Sequence, residues 1–180
     1  MPIISIIALI SGVLGVWLTI KQNIWCWPMA LISVFTSSIE FFEQRLFGDM
    51  ALQVIYFVAG IYGWYYWAKQ KREVFLITRI NPQYWSALLL ITVFQSIVYY
   101  FLLSQWKGDK ALWDSILTAC SLTATYMMTK KWLENWFVWV IIDSAYVLLY
   151  FSKGMWLFAL LYGIFAIVAF YGWRKWKTII

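Results

Sequence analysis

Seven long apolar stretches take up most of this 180-residue chain. Each is close to the ~20 residues that an α-helix needs to cross a bilayer. Their approximate bounds are 2–20, 25–45, 49–68, 83–104, 111–129, 132–152 and 154–173. Because the connections between them are short, we predict an all-α polytopic membrane protein, with one membrane domain over 1–180 and no soluble domain.

The basic residues are distributed unequally among the loops, and this distribution predicts the orientation. Charged residues make up 12% of the chain and the net charge is +6. One set of alternate loops holds four basic residues, Arg45, Lys107, Lys110 and Lys153. The other set and the C-terminus hold ten: Lys21, Lys69, Lys71, Arg72, Arg79, Lys130, Lys131, Arg174, Lys175 and Lys177. We therefore expect an inner-membrane protein with its N-terminus outside and its C-terminus in the cytoplasm, and no nucleic-acid partner.

The third and seventh apolar stretches resemble each other. The tripeptide Tyr-Gly-Trp occurs at 62–64 and again at 171–173, so its positions differ by 109, whereas the positions of Tyr56 and Tyr162 differ by 106. These matches predict a repeat with one gap of three residues. The longest polar connection, 69–81, separates three apolar stretches from four.

A repeated unit of three helices then requires one helix to join the copies. We predict a first triplet over 1–68, a linker helix over 83–104 and a second triplet over 111–173. One linker helix restores the orientation, so the two triplets would be parallel repeats about an axis along the membrane normal, with a substrate site between them.

The sixth apolar stretch carries an acidic residue among aromatic ones. At 100° per residue, its polar and aromatic side chains fall within an arc of about 80°. They are Trp132, Trp136, Trp139, Asp143, Tyr146 and Tyr150. A carboxylate inside the membrane indicates a functional site by default, and indole and phenol rings attract cations. This face predicts a binding wall for a flat, positively charged molecule.

Other stretches carry polar residues at helical spacing. Glu40 lies in the second, Gln53 and Tyr56 in the third, and Thr118 in the fifth. The amide of Gln53 suits a hydroxyl or carboxamide of the ligand. For Glu40 and Asp143 the alternative is a protonated acid or a structural hydrogen bond to a neighbouring helix. For the hydroxyls of the fifth stretch it is helix packing.

Several chemistries are excluded by what the sequence lacks. It has no histidine, its two cysteines have no metal-ligand spacing, and no phosphate-binding loop is present. We predict no metal, no cofactor and no ATP hydrolysis. An intramembrane enzyme and a purely structural subunit are the competing classes, and the aromatic, acidic interior favours a transporter over both.

Several motifs, taken together, resemble the PnuC family of vitamin-precursor transporters over about 25–176. They are Trp-Cys-Trp-Pro at 25–28, Phe-Gly-Asp-Met-Ala-Leu-Gln at 47–53, Tyr-Gly-Trp-Tyr-Tyr-Trp at 62–67, Leu-Thr-Ala at 122–124, Glu-Asn-Trp at 134–136, Trp-Val-Ile-Ile-Asp at 139–143 and Tyr-Gly-Trp at 171–173. The resemblance implies the 3+1+3 arrangement of SWEET sugar transporters. It also implies that Trp136, Trp139, Asp143 and Gln53 contact the substrate, and we add Tyr56, Asn135, Glu40, Thr118 and Tyr146 to this set.

The resemblance further implies uptake of a cationic aromatic vitamin precursor, with nicotinamide riboside as the first candidate. Transport would be facilitated diffusion, and a separate cytoplasmic kinase would trap the substrate. Asp143 stands where the family's nicotinamide riboside transporters tend to have asparagine, so thiamine is an alternative, with riboflavin a third candidate. Coupling to protons and assembly into a homo-oligomer both stay open.

Overall fold

The computed structural model describes residues 2–43, 47–70, 76–104, 111–152, 154 and 156–180, and it is built from seven α-helices. They are α1 (Pro2–Ile20), α2 (Cys26–Glu43), α3 (Phe47–Lys69), α4 (Gln83–Ser104), α5 (Ala111–Thr129), α6 (Glu134–Ser152) and α7 (Trp156–Lys177). The predicted all-helical fold with seven helices is confirmed. Six of the basic residues used to predict the orientation lie outside the described residues: Arg45, Lys71, Arg72, Lys107, Lys110 and Lys153.

The chain forms two compact units, Met1–Phe75 and Leu76–Ile180. In the first unit α1 packs against α2 and α2 packs against α3. In the second unit α4 packs against α5, α5 against α6 and α6 against α7. The middle helix of each set of three, α2 or α6, therefore has a neighbour on both sides.

The helix bounds of the two units repeat at an offset of 109 residues at four of six pairs of ends, and of 108 at the starts of α2 and α6 and the ends of α3 and α7. The offset is 109 for both ends of α1 and α5, which begin at 2 and 111 and end at 20 and 129. It is again 109 for the starts of α3 and α7, at 47 and 156, and for the ends of α2 and α6, at 43 and 152. No gap of three residues is needed, so Tyr162 of α7 corresponds to Gln53 of α3 and not to Tyr56. The match at 106 joined two tyrosines that occupy different positions in their helices.

The turns that follow α1 and α5 also match hydrogen bond for hydrogen bond. After α1, the amides of Gln22 and Asn23 donate to the carbonyls of Thr19 and Leu18, at 2.9 Å in both cases. The corresponding bonds after α5 occur at the same offset: Lys131 to Met128 at 2.9 Å and Trp132 to Met127 at 3.1 Å. Gln22 and Lys131 both have a φ of 53°, in the left-handed region. Both turns are Schellman motifs that satisfy the last carbonyls of the helix.

A tryptophan of the middle helix packs into a glycine of the third helix in both units. In the first unit the ring of Trp27 lies where a Cβ on Gly63 would be, and it meets Trp67 edge-on at 5.6 Å between centroids. The second unit repeats the arrangement, with Trp136, Gly172 and Trp176 in the same three roles.

The segment before α4 is tied to the start of α6 within the second unit. The Thr78 amide donates to Lys131 O at 3.2 Å, and the Leu133 amide donates back to Thr78 O at 2.8 Å. The carboxylate of Glu134 accepts a bond from the Ile80 amide at 2.9 Å. This short parallel bridge fixes the turn that leads into α6.

The prediction that Trp132 belongs to the aromatic face of the sixth helix is wrong. Helix α6 begins at Glu134, and Trp132 lies in the turn before it, stacked on Tyr84 at 5.7 Å and edge-on to Tyr126 at 5.9 Å. The Schellman turn at Lys131 breaks the helical phase, so the 100° rule does not extend from α6 back to Trp132.

The helices present large apolar side chains outward, as a bilayer requires. Along α4 the exposed ones include Leu89, Leu90 and Phe94. Within the described residues, three helices are long and apolar enough to cross a membrane by length and composition alone: α1, α4 and α6.

Candidate functional site

The nine residues predicted to contact substrate divide between the two units. Glu40, Gln53 and Tyr56 lie in the first unit, on α2 and α3. The other six lie in the second unit, on α5 and α6: Thr118, Asn135, Trp136, Trp139, Asp143 and Tyr146. The second unit therefore supplies the acidic and aromatic part of the candidate site.

Asp143 and Trp139 lie one turn apart on α6, and neither has a hydrogen bond, ion pair or ring contact within the described residues. The Asp143 side chain is 5% exposed, and its carboxylate forms no hydrogen bond or ion pair within the part of the chain that the structure describes. Trp139 is half-buried and has no ring contact within the same residues. A buried carboxylate is costly unless a partner compensates its charge. A cationic ring bound between the indole and the carboxylate would provide that compensation.

Trp136, one turn before Trp139, is already engaged. It is 2% exposed and meets Trp176 edge-on at 5.3 Å between ring centroids. A Cβ on Gly172 would lie 2.8 Å from the indole ring. The Trp136 indole nitrogen is buried and has no acceptor within the described residues. Trp136 thus holds α6 against α7. Its counterpart Trp27 has a buried indole nitrogen in the same condition, so the unpaired N–H belongs to the shared packing.

Thr118 differs from the other hydroxyl residues of its helix. Ser115, Ser121, Thr125 and Thr129 each donate to a backbone carbonyl three or four residues earlier in α5. Thr118 is buried, yet its hydroxyl has no hydrogen bond within the described residues. The packing explanation for hydroxyls on α5 therefore accounts for its neighbours and not for Thr118.

Asn135 is fully buried in the first turn of α6. Its side-chain amide donates to the Trp132 carbonyl, whereas its Oδ1 atom has no donor within the described residues. At the offset of 109 its counterpart is Cys26, which is also buried but has no amide. An unpaired amide oxygen at such a site is an acceptor for a ligand or for an ordered water molecule.

Tyr146 belongs to a cluster of three tyrosines that join α6 to α7. Its ring lies 4.6 Å from Tyr162 and 5.9 Å from Tyr150, and Tyr150 lies 5.3 Å from Tyr162. The sequence placed Tyr150 on the Asp143 face but did not assign Tyr162 to the site. The offset of 109 between the two Tyr-Gly-Trp elements pairs Tyr162 with Gln53, and it is the signal that would have found Tyr162.

The predicted residues of the first unit lie in different surroundings. Glu40 accepts a hydrogen bond from the hydroxyl of Ser5 on α1 at 2.9 Å, which is the structural bond given above as the alternative. Gln53 is half-buried on α3, and its amide has no hydrogen bond within the described residues. Tyr56 is half-buried one turn further along the same helix.

The side chains left without partners suit recognition of a ligand by charge and hydrogen bonding. In the second unit they offer a carboxylate, an indole face, a hydroxyl and an amide oxygen; in the first unit Gln53 offers an amide. Within the described ranges no group of three or more metal-ligating side chains occurs.

Comparison with known proteins agrees with these features. A family model described as "Nicotinamide mononucleotide transporter" matches residues 2–178. The chain is 32% identical to the nicotinamide riboside transporter PnuC of Escherichia coli (strain K12), over 96% of this chain and 84% of that protein. It is 22% identical to the riboflavin/roseoflavin transporter RibM of Streptomyces davaonensis, over 93% of this chain and 81% of the relative.

A solved structure has the same fold. The crystal structure of the vitamin B3 transporter PnuC superposes with a TM-score of 0.78 at 21% identity, covering 98% of this chain and 81% of that one. The relatives are transporters and not enzymes, and the family implies a multi-pass protein of the inner membrane. The seven-helix chain therefore belongs to the nicotinamide mononucleotide transporter family and is a membrane transporter.

Proposed function

We propose that this protein carries nicotinamide riboside into the cell. The observation that carries the proposal is the pair on α6: a buried carboxylate without a partner in the described chain, Asp143, and one turn earlier an indole without a ring contact there, Trp139. Nicotinamide riboside is a flat aromatic cation, and its ring would satisfy both groups at once. The name of the Escherichia coli relative supports the same substrate.

The remaining contacts would read the neutral parts of the substrate. A carboxamide and a ribose offer donors and acceptors, which match the Thr118 hydroxyl, the Asn135 carbonyl and the amide of Gln53. Tyr56 remains a proposed contact on the basis of its position beside Gln53. Glu40 is the weakest member, because Ser5 already donates to its carboxylate.

The proposed mechanism is facilitated diffusion by alternating access. The helices would form two parallel triplets, α1–α3 and α5–α7, joined by α4 as a linker in the 3+1+3 arrangement of SWEET transporters. The offset of 109 in four of the six pairs of helix ends and in both turns supports this plan. Net uptake would depend on a separate cytoplasmic kinase that phosphorylates the substrate.

We propose that the N-terminus lies outside and the C-terminus in the cytoplasm. Four lysines lie over an aromatic ring four residues earlier, at or just past the end of an odd-numbered helix: Lys21 over Trp17, Lys69 over Tyr65, Lys130 over Tyr126 and Lys177 over Trp173. Such pairs are typical of an aromatic belt beside a positively charged cytoplasmic surface. Fluorescence of a C-terminal green fluorescent protein fusion tests this orientation, because it requires a cytoplasmic C-terminus.

Uptake into liposomes tests the function directly. Liposomes containing the purified protein should take up labelled nicotinamide riboside faster than empty liposomes, until the internal and external concentrations are equal. Excess unlabelled substrate should suppress the difference. Uptake no faster than in empty liposomes would overturn the proposal.

Thiamine is the second candidate, and the carboxylate of Asp143 is the observation that favours it. Thiamine is also a flat cation, and a full negative charge suits it as well as it suits nicotinamide riboside. A thermal-shift screen against nicotinamide riboside, thiamine and the uncharged riboflavin separates the three, because only a bound ligand stabilises the protein.

Proton coupling is the variant of the mechanism that an intramembrane carboxylate allows. It predicts that an uncoupler abolishes uptake driven by a proton gradient. Equal rates with and without the gradient would establish facilitated diffusion.

A further inference from the structure

The three tyrosines that join α6 to α7 form a continuous aromatic surface. The rings of Tyr146, Tyr150 and Tyr162 lie 4.6 to 5.9 Å apart, and their planes differ by only 21° to 32°. All three side chains are half-buried. Offset stacking covers part of each ring's electron-rich face and leaves the outer face of the group uncovered by the other two rings, and a cation is attracted to such a face.

This surface adjoins Asp143. Tyr146 and Tyr150 follow Asp143 by three and seven residues, and at 100° per residue the three lie within an arc of about 60° on α6. With a rise of 1.5 Å per residue, the two tyrosines lie about 4.5 and 10.5 Å beyond the carboxylate along the helix axis. The rings thus extend the acidic site toward the C-terminal end of α6.

Comparison of the two units shows that Tyr162 differs in residue type from its counterpart in the first unit. At the offset of 109, Tyr162 of α7 occupies the position that Gln53 holds in α3. Asp143 corresponds to Val34, and Tyr146 corresponds to Ser37. These three positions are therefore aromatic or acidic in the second unit and neither in the first, whereas Tyr150 corresponds to another aromatic residue, Phe41. In the second unit, contacts with Tyr146 and Tyr150 show that position 162 meets the Asp143 face of α6.

We propose that the tyrosine surface is a second contact site for the cationic ring of the substrate, next to Asp143, and that Tyr162 sets the preference for cationic over uncharged ligands. This inference rests on the proposed function, because it concerns the same substrate. Tyr162 contributes an aromatic face where a glutamine in the other unit contributes an amide. The substrate's ring, rather than its ribose, is the part that such a face recognises.

The test compares two ligands that differ in charge and little in shape. Nicotinamide riboside carries a positive ring, and its dihydro form carries an uncharged one. Calorimetry would measure both affinities for the wild-type protein and for Tyr162→Leu, Tyr162→Phe and Tyr162→Gln. The leucine and glutamine variants should lose about tenfold more affinity for the cation than for the dihydro form. The phenylalanine variant, which keeps the ring, should retain the wild-type ratio within about twofold.

Phe165 provides the matched control. It is half-buried on the same helix and meets Tyr162 edge-on at 6.0 Å, but it lies outside the three-tyrosine surface. Phe165→Leu should leave the ratio of the two affinities unchanged. An equal loss for both ligands in Tyr162→Leu and Tyr162→Gln, or the same change of ratio in Phe165→Leu, would make the cluster a packing feature and overturn the inference.

The two proposals fail in different measurements. If the wild-type protein binds nicotinamide riboside and the Tyr162 variants keep the wild-type ratio of the two affinities, only the tyrosine site is wrong. If the wild-type protein binds neither ligand, both the proposed substrate and the tyrosine site are wrong. If Tyr162→Leu does not fold, Tyr162→Gln carries the test, since glutamine occupies the equivalent place in α3.

Discussion

The two units share a backbone pattern and differ in the side chains of the middle helix. The turns after α1 and α5 carry the same hydrogen bonds, and both units lock a tryptophan of the middle helix into a glycine of the third. The face of α6 that carries Asp143 and the tyrosines corresponds in α2 to Val34, Ser37 and Phe41. The two units thus share the turns and tryptophan–glycine contacts that hold the helices together. They differ in the side chains that a ligand would contact.

The counterparts in the first unit separate structural from ligand-binding tryptophans in α6. Trp136 has a counterpart, Trp27, in the same packing role, so packing alone explains it. Trp139 corresponds to Ala30 and has no ring contact in the described chain. Of these two tryptophans, Trp139 is therefore the better candidate for a ligand contact.

Exchanging the charge between the two units should give the largest effect. Val34→Asp places a carboxylate on α2 where the repeat has none, and a charge within a membrane helix costs about 2.5–3.5 kcal/mol on insertion scales. The reverse change, Asp143→Val, removes a buried charge that lacks a partner in the described chain and should not lower stability. Thermal unfolding in detergent measures both.

The control for this exchange is Val34→Asn, which is similar in size to aspartate and carries no charge. It should destabilise less than Val34→Asp. If Val34→Asp unfolds at the wild-type temperature, the first unit accepts an acidic residue as readily as the second. The presence of Asp143 in α6 and of Val34 in α2 would then say nothing about ligand binding.

Substitutions of Gly63 and Gly172 test the tryptophan–glycine packing that the two units share. Gly63→Ala and Gly172→Ala each drive a methyl group into an indole ring, Trp27 or Trp136, and overpacking of this kind costs about 1–3 kcal/mol. Both variants should lower the unfolding temperature, with Gly63→Ala the more severe because its Cβ would overlap the ring more deeply.

Gly163→Ala is the matched control for both glycines. Within the described residues a Cβ there would meet Val147 alone, at an ordinary contact distance of 3.9 Å. It should leave the unfolding temperature unchanged or raise it slightly, because alanine favours the helix. Loss of stability in Gly163→Ala equal to that in Gly172→Ala would mean that close packing on the tryptophan is not the cause.

Much of this fold could be predicted from the sequence, because apolar length alone determines where membrane helices lie. The bounds of α4 and α5 were predicted to the residue. The register of the repeat was predicted incorrectly at Tyr56, since a match of residue types ignores the helical position that only the turns reveal. Trp132 was misplaced for a similar reason: the left-handed residue Lys131 ends the helical phase, and no glycine marks the position.

The candidate site was predicted less completely than the fold. An acidic residue among aromatic ones identified α6, but periodicity does not tell a packed ring from an unpacked one. Only the contacts with Gly172 and Trp176 separate Trp136 from Trp139. Likewise, the Ser5 hydroxyl that bonds Glu40 is far from it in sequence, on another helix and beyond any local pattern.

The charge of Asp143 should matter for binding by about a factor of ten. Asp143→Asn keeps the shape of the side chain and removes the charge, so affinity for nicotinamide riboside should fall about tenfold, or ~1.4 kcal/mol, and affinity for the dihydro form should change less. Trp139→Ala should weaken both ligands, because ring stacking does not require a charge.

Calorimetry with both ligands measures these effects. Trp85→Ala is a useful reference, because this indole is exposed on α4, which carries none of the candidate residues. It should bind both ligands like the wild type. Unchanged binding of both ligands by Asp143→Asn would make the carboxylate a structural group.

Substitutions in the two Schellman turns should have the smallest effect on stability. Gln22 and Lys131 adopt a left-handed conformation that costs a non-glycine residue about 1 kcal/mol, so glycine should relieve the strain at both. Lys131 is 5% exposed and loses packing when it is replaced, whereas Gln22 is half-buried. Gln22→Gly should therefore stabilise by up to ~1 kcal/mol, and Lys131→Gly by less. A larger gain at Lys131 in thermal unfolding would show that the two turns, alike in their hydrogen bonds, differ in strain.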